Sequence, residues 1–211
     1  PFDKKLAGHY KVQDKGVNYA FTQFEAVKAR QVFPQFDEPR FKVPYDISLE
    51  IQQKHRGFGN TPIIKEEELD DGFKRLTFAT TQPLPSYLLA FAVGELDVVE
   101  YEDVPATSLR QHPIPLRGIA TKGKGKQLAY ALRNTASLLI TLEEYFGIPY
   151  PYAKLDIVAV PDFASGAMEN AGLITYRETL LLFDDNPSIN QQRRYANVHA
   201  HELAHQWFGD L

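Results

Sequence analysis

The chain has 211 residues, of which 44% are hydrophobic and 24% are charged, and it contains no cysteine. Its net charge of −4 excludes bulk electrostatic attraction to nucleic acid, so no nucleic-acid partner is expected. No apolar run approaches the roughly 18 residues that a membrane-spanning helix needs, and a metal site would have to use histidine, aspartate or glutamate as ligands.

The first half of the chain is predicted to be rich in β-strands. Aromatic and β-branched residues, partly in alternation, predict strands over residues 17–24, 45–53, 73–80 and 87–100. Glycine, proline and aspartate predict turns between them at residues 36–39, 57–60 and 70–72. Residues 1–103 are therefore expected to form a β-rich N-terminal domain.

Helices are predicted only in the second half, over residues 104–211. Three prolines and Gly118 predict a linker or an edge strand over residues 105–118. A helix is expected over residues 126–146, where leucines recur at helical spacing and Gly147 ends the pattern. Short strands are predicted over residues 155–160, 173–176 and 180–183. A second helix should begin near residues 186–187, run through His205 and end at Gly209.

A metal-binding pattern lies on this second helix. His201 and His205 are four residues apart, so both imidazoles lie on one helix face and can reach one zinc ion. Glu202 follows the first histidine, where a carboxylate can accept a proton from water bound to the metal. His199 lies on another side of the helix and is interpreted as a packed or solvated residue. The pattern predicts a catalytic zinc site with two of its three protein ligands.

The chain resembles the zinc aminopeptidases of the aminopeptidase N type, which are gluzincins. Residues 166–170 read GAMEN, the exopeptidase motif of that family, and residues 198–209 read VHAHELAHQWFG. Weaker similarity lies upstream, in TQFE at residues 22–25, FPQFDEP at 33–39 and YFGIPYP at 145–151. The two stronger motifs occur in the family's order, and the resemblance covers nearly the whole chain.

The resemblance implies an α+β fold in two parts. Residues 1–103 would be the later part of a β-saddle N-terminal domain, and residues 104–211 the first part of a thermolysin-like catalytic domain. Both ends of the chain are expected to be truncated. The family's third zinc ligand, a glutamate, and its oxyanion-stabilising tyrosine are expected beyond Leu211, in the remainder of the parent chain.

The resemblance also implies how a peptide with a free N-terminus would be bound. Glu169 would hold the α-amine, and Glu25 would be a second carboxylate for it, contributed by the β-rich domain. Gln23 and Met168 would lie near the pocket for the first side chain. Backbone groups of Gly166 and Ala167 would align the peptide strand against strand.

The expected activity is therefore the zinc-dependent removal of N-terminal residues from peptides, with Glu202 as the base. An epoxide hydrolase of the leukotriene type, built on the same frame, is an alternative. A further alternative is that these 211 residues are an inert fragment or a peptide-binding remnant. Because the third zinc ligand is expected elsewhere, the chain alone is expected to be inactive.

Overall fold

A computed structural model describes residues 5–211; the first four residues of the predicted N-terminal domain lie outside this range. The chain divides into two compact units between Leu96 and Asp97. The predicted domain boundary between residues 103 and 104 stays a prediction. Each unit is described by itself.

The described residues form twelve β-strands and three α-helices. The strands are β1 (Gly8–Asp14), β2 (Val17–Gln23), β3 (Ser48–Gln52), β4 (Arg56–Gly59), β5 (Ile63–Glu68), β6 (Phe73–Phe78), β7 (Phe91–Gly94), β8 (Leu96–Glu100), β9 (Leu116–Thr121), β10 (Leu155–Val160), β11 (Ala167–Met168) and β12 (Leu173–Arg177). The helices are α1 (Ala129–Phe146), α2 (Glu178–Leu181) and α3 (Ile189–His205).

The first unit consists of two antiparallel sheets. One has the strand order β1-β2-β7-β4, and the other has the order β3-β6-β5. Alternate side chains of the second sheet form a small core of Ile51, Leu76 and Phe78. Three of the predicted strands are confirmed in β2, β3 and β6, and the β-rich character of this part of the chain is confirmed with them.

Two predictions for this unit are wrong. Residues 57–60 were expected to form a turn, but β4 covers three of them and pairs with β7. A Cβ atom on Gly57 would lie 2.8 Å from the Leu76 side chain, so this glycine permits close packing. The single strand predicted over residues 87–100 is two strands, β7 and β8, which belong to different sheets.

The second unit is built on a five-stranded sheet with the order β11-β12-β10-β9-β8. β9, β10 and β12 are parallel, whereas β11 runs antiparallel to β12. Every residue of β10 is buried, as expected for a central parallel strand. The core of this unit joins the sheet to α1 and α3 through Leu132, Leu139, Ile157, Tyr176 and Leu203. The predicted α+β class is confirmed.

The predicted first helix and its end are confirmed. Residues 125–128 form a 3-10 turn that leads into α1. Gly147 follows Phe146 with a φ of 65°, and its N–H donates to the Glu143 carbonyl. This left-handed C-terminal residue is the conformation for which glycine is preferred.

The region predicted as a linker or edge strand contains an interior strand. β9 lies between β10 and β8. A Cβ on Gly118 would lie 3.0 Å from the side chains of Leu128 and Leu132. The glycine therefore allows the segment that leads into α1 to pack closely against the sheet, and it does not indicate an edge strand.

Two further predictions in this unit are wrong. Residues 180–183 do not form the predicted strand: Leu180 and Leu181 end α2, and Leu182 is its C-cap. A short apolar run fits the end of a helix as well as a short strand. The second helix begins with Ser188 as its N-cap, in a capping box with Gln191, rather than at residues 186–187. The helix itself and its extension through His205 are confirmed, but it ends there and not at Gly209. No described helix is long and apolar enough to cross a membrane.

Candidate metal centre and peptide site

Helix α3 brings the two predicted metal ligands together. The Nε2 atoms of His201 and His205 are 3.1 Å apart, and their rings are nearly perpendicular at 88°. His205 Nδ1 lies 3.1 Å from the Phe208 carbonyl. Since a carbonyl can only accept, Nδ1 carries the proton and Nε2 of His205 is left with its lone pair. That is the tautomer a metal ligand requires.

The histidine pair fits one tetrahedral metal ion. Two nitrogens each about 2.0–2.1 Å from zinc at a tetrahedral angle lie about 3.3 Å apart. The observed 3.1 Å is close to that separation. Within residues 5–211, however, no group of three or more histidine, cysteine, aspartate or glutamate side chains is placed to hold a metal.

Glu202 belongs to the buried side of the same helix. It is 5% exposed and lies between the exposed His201 and the fully buried Leu203. His199 and Tyr195, about one and two turns earlier, are buried on this side as well. The helix thus presents its histidine pair outward and holds the intervening carboxylate in a largely dry environment.

His199 is a structural residue, as predicted. It is 0% exposed and stacks on Tyr195, with ring centroids 5.0 Å apart. Thr135 Oγ1 donates to the Ala131 carbonyl, so it accepts from His199 Nε2 at 2.9 Å. Nδ1 is then free to accept the Tyr176 hydroxyl proton at 2.7 Å. Burial lowers the pKa of His199 to about 3, and the neutral ring joins α3 to α1 and to β12.

The GAMEN residues lie on and beside an outer strand. β11 pairs with β12 on one side, and it is the last strand of the sheet among the described residues. The Gly166 carbonyl accepts from the Arg177 N–H at 2.8 Å, so it faces β12. Because backbone groups alternate along a strand, those of Ala167 face the outer edge. Ala167 is therefore better placed than Gly166 to pair with an extended peptide.

The remaining residues of the motif turn inward after β11. Met168 is 1% exposed and Asn170 is 0% exposed, whereas Glu169 between them is half-buried. Asn170 Nδ2 donates to Thr175 Oγ1 at 3.2 Å, which fixes the turn back into β12. The carboxylate-bearing residue is thus held between two buried neighbours.

Sequence reasoning assigned no role to Gln206, which the structure places in direct contact with this turn. Gln206 is 0% exposed, and its Nε2 donates to the Glu169 carbonyl at 2.7 Å. Its Oε1 accepts from the Gly172 N–H at 3.0 Å. The sequence signals were its position directly after His205 and its place in the VHAHELAHQWFG motif.

A buried charged cluster supports the other side of the turn. Lys154 Nζ donates to the Gly172 carbonyl at 2.7 Å and lies 2.9 Å from Asp156. Arg117 forms two 2.8 Å hydrogen bonds with the same aspartate. Burial lowers the pKa of Lys154, an effect that the charge of Asp156 opposes. The cluster ties the turn after Glu169 to the centre of the sheet.

The other two predicted substrate residues lie in the first compact unit. Gln23 ends β2 and is 7% exposed, and among the described residues its buried Oε1 has no hydrogen-bond donor. Glu25 is exposed, and the peptide bond that follows it, Glu25–Ala26, is cis. Their predicted roles at the substrate stay predictions.

Comparison with known proteins matches both parts of the chain to one family. Residues 1–88 match the Peptidase M1 N-terminal domain, and residues 130–211 match the Peptidase family M1 domain. Aminopeptidase M1-A of Oryza sativa subsp. japonica is 43% identical over 203 residues, which is 96% of this chain and 22% of that protein. The puromycin-sensitive aminopeptidase of Caenorhabditis elegans is 42% identical over 98% of this chain and 22% of its own length. The glutamyl aminopeptidase of Bos taurus is 41% identical over 98% of this chain and 21% of its own length.

These relatives are much longer than the chain, which spans about a fifth of their length. The similarity covers both the β-rich unit and the histidine helix, and it agrees with the resemblance of the GAMEN and HELAH motifs. The chain belongs to peptidase family M1, with sequence from both the N-terminal and the catalytic domain of that family.

Proposed function

We propose that the chain is part of a zinc-dependent aminopeptidase that removes N-terminal residues from peptides. One observation carries the proposal. The convergent His201 and His205 lie on a helix whose next residue, Gln206, is hydrogen-bonded to Glu169 of the exopeptidase motif. A metal-binding pair and an amine-binding carboxylate are thereby built into one compact unit.

The metal is proposed to be zinc, held by His201 and His205. The 3.1 Å separation of their Nε2 atoms and the absence of cysteine support this donor set. The third ligand is proposed to be a glutamate supplied by the rest of the full-length protein. When bound, zinc polarises the scissile carbonyl and makes the attacking water more acidic.

Glu202 is proposed to move the proton. Its carboxylate accepts a proton from the attacking water and donates it to the leaving amine as the peptide bond breaks. Its position beside His201 and its 5% exposure support the assignment. The carboxylate has little water around it to compete for the proton.

Recognition of the free N-terminus is proposed to depend on carboxylates. A substrate ammonium taken out of water needs an anionic partner, because an unpaired buried charge costs several kcal/mol. Glu169 is half-buried beside the edge residue Ala167, which would pair with the substrate backbone. Glu25 is proposed as a second carboxylate, with Gln23 and Met168 at the first side-chain pocket.

The test compares free and acetylated N-termini in the full-length protein. A peptide with a free α-amine should be cleaved, and its α-N-acetylated counterpart should be refused. Glu169→Ala should lower kcat/KM on the free peptide by about 10²–10³-fold, the cost of breaking a desolvated charge pair. Equal cleavage of both peptides by the wild type would refute the exopeptidase assignment.

A further inference from the structure

The side chain of Gln206 forms hydrogen bonds through both its nitrogen and its oxygen. Nε2 donates to the Glu169 carbonyl at 2.7 Å and to Asp210 Oδ2 at 3.1 Å. Oε1 accepts from the Gly172 N–H at 3.0 Å and lies 3.3 Å from the Tyr150 hydroxyl. A glutamine amide has two donor hydrogens and two acceptor lone pairs. Both donors and one lone pair are used here, and the second lone pair shares the Tyr150 hydroxyl proton with the Lys154 carbonyl, which lies 3.2 Å from that hydroxyl.

Two of these bonds span the turn that carries Glu169. One reaches the carbonyl of Glu169 itself, and the other reaches Gly172, three residues later. Lys154 holds the Gly172 carbonyl from the opposite side at 2.7 Å. The backbone of this turn is therefore fixed at both ends by buried side chains.

The same residue is anchored to the metal-binding helix. Gln206 is the C-cap of α3 and directly follows His205. A shift of the helix end would therefore move the histidine and the Glu169 backbone together. The contact links the proposed amine-binding carboxylate to the proposed metal centre through one side chain.

We infer that Gln206 is a positioning residue for the exopeptidase reaction. It fixes the Glu169 backbone relative to His201, Glu202 and His205, and so sets the distance between the α-amine site and the bond that is broken. Small errors in such a distance lower the rate strongly, because reacting groups must be held in near-attack geometry. The inference rests on the proposed function.

The test uses Gln206→Met and Gln206→Glu in the full-length protein. Methionine has nearly the same length and makes none of the four hydrogen bonds. Ionised glutamate can still accept from Gly172 but cannot donate to the Glu169 carbonyl. Gln192→Met is the matched control, because Gln192 lies on the same helix and donates to the Pro187 carbonyl at 2.8 Å.

The first measurement is calorimetric binding of an amino-acid amide and of its desamino analogue. The wild type should prefer the amine-bearing compound. In both Gln206 variants that preference should fall by roughly tenfold, with binding of the desamino analogue unchanged. If Gln206 had only a structural role, its variants would have a lower active fraction and a lower thermal midpoint. Their preference for the amine-bearing compound over the desamino analogue would then be unchanged.

The second measurement is hydrogen exchange at the Gly172 amide. Exchange should accelerate in Gln206→Met and stay slow in Gln206→Glu and Gln192→Met, since only the first loses the acceptor. This measurement also reads out whether a variant has unfolded as a whole.

The outcomes separate the two proposals. Equal binding of both compounds by the wild type contradicts the proposed function. A wild type that prefers the amine, together with an unchanged preference in a folded Gln206→Met variant, overturns the role of Gln206 alone. Slow Gly172 exchange in that variant would overturn the hydrogen bonding on which the inference is built.

Discussion

His199 and Glu202 are three residues apart on the buried side of α3, but their environments differ. His199 is enclosed by two hydroxyls and a stacked tyrosine, so its neutral form is stabilised and it joins three elements. Glu202 is nearly buried beside an exposed histidine whose Nε2 points toward a second one. Burial of a carboxylate next to the proposed metal ligands agrees with the proposed role of a general base.

Glu202→Gln should therefore abolish proton transfer while leaving the fold intact. Glutamine preserves the shape but cannot accept a proton from water, so kcat should fall by about 10²–10⁴-fold. The measurement is peptidase activity of the full-length protein, with zinc content determined in parallel. Wild-type activity in a variant that retains its zinc would contradict the role of Glu202.

Asp37 makes the first unit sensitive to acid. Burial raises the pKa of Asp37, but hydrogen bonds from Arg30, Ser86 and Gln35 outweigh that effect, so its pKa lies below the ordinary 3.8. A carboxylate whose folded pKa is depressed stabilises the fold above the unfolded pKa, and it loses this contribution as pH falls through the folded value. The stabilisation should be complete at neutral pH and should decline below about pH 4.

Asp37→Asn should remove this contribution. We expect a loss of about 1.5–3 kcal/mol at pH 7, where the charged hydrogen bonds are complete, and a smaller difference from the wild type near pH 3. Chemical unfolding at both pH values measures this difference. Asp46→Asn, which alters an exposed aspartate bonded to Thr80, is the control. A difference that grows toward low pH would contradict the assignment.

At the scale of elements, helix α1 is attached to the loop before β9 by a buried ion pair. Glu143 and Arg110 are both 0% exposed at their side chains and lie 2.8 Å apart. Glu143 Oε1 also accepts from the Tyr150 N–H at 2.7 Å, and its other oxygen lies 3.3 Å from the Thr107 hydroxyl. The proline-rich segment is therefore fixed against the end of the helix.

Glu143→Gln should destabilise the second unit by about 3 kcal/mol, because the guanidinium of Arg110 would be left buried without its charged partner. Glu144→Gln, at an exposed position one residue later, should change stability by less than about 0.5 kcal/mol. Thermal or chemical unfolding of the two variants side by side decides the point. Equal stability of the two would show that the ion pair contributes little.

At the scale of the whole molecule, the two compact units differ in the chemistry that each holds. The second unit contains the histidine pair, Glu202 and the Glu169 turn, whereas Gln23 and Glu25 lie in the first. The described residues provide two histidines and no third ligand in one cluster. Because the third ligand is proposed to be a glutamate of the full-length protein, we expect metal affinity to be higher in the full-length protein than in this chain.

Zinc titration checks this dependence. Complete zinc sites have binding free energies of about 10 kcal/mol or more, so losing one of three ligands should weaken Kd beyond about 1 μM. Calorimetry on the 211-residue chain and on the full-length protein gives the two values. Tight, stoichiometric zinc binding by the 211-residue chain, accompanied by peptidase activity, would refute the need for a further ligand.

Features that depend on residues close together in the chain could be predicted from the sequence. Histidines four residues apart converge wherever the chain is helical, and Gly147 ends α1 because glycine readily adopts a positive φ. The apolar run of β10 predicts a buried strand by itself. The convergence of His201 and His205 and much of the strand pattern could therefore be predicted from the sequence, whereas the metal-binding and base roles remain proposals.

Tertiary structure decided the features whose causes are distant in the chain. Gly57 and Gly118 lie in strands because side chains from other elements pack against them, which the glycines themselves do not indicate. Gln206 reaches Glu169, 37 residues earlier, only because β11 and α3 meet in the folded unit. The sequence by itself determined that two histidines converge on one helix face with a carboxylate beside the first of them. Which side chains hold those groups in place was decided by long-range packing and hydrogen bonding.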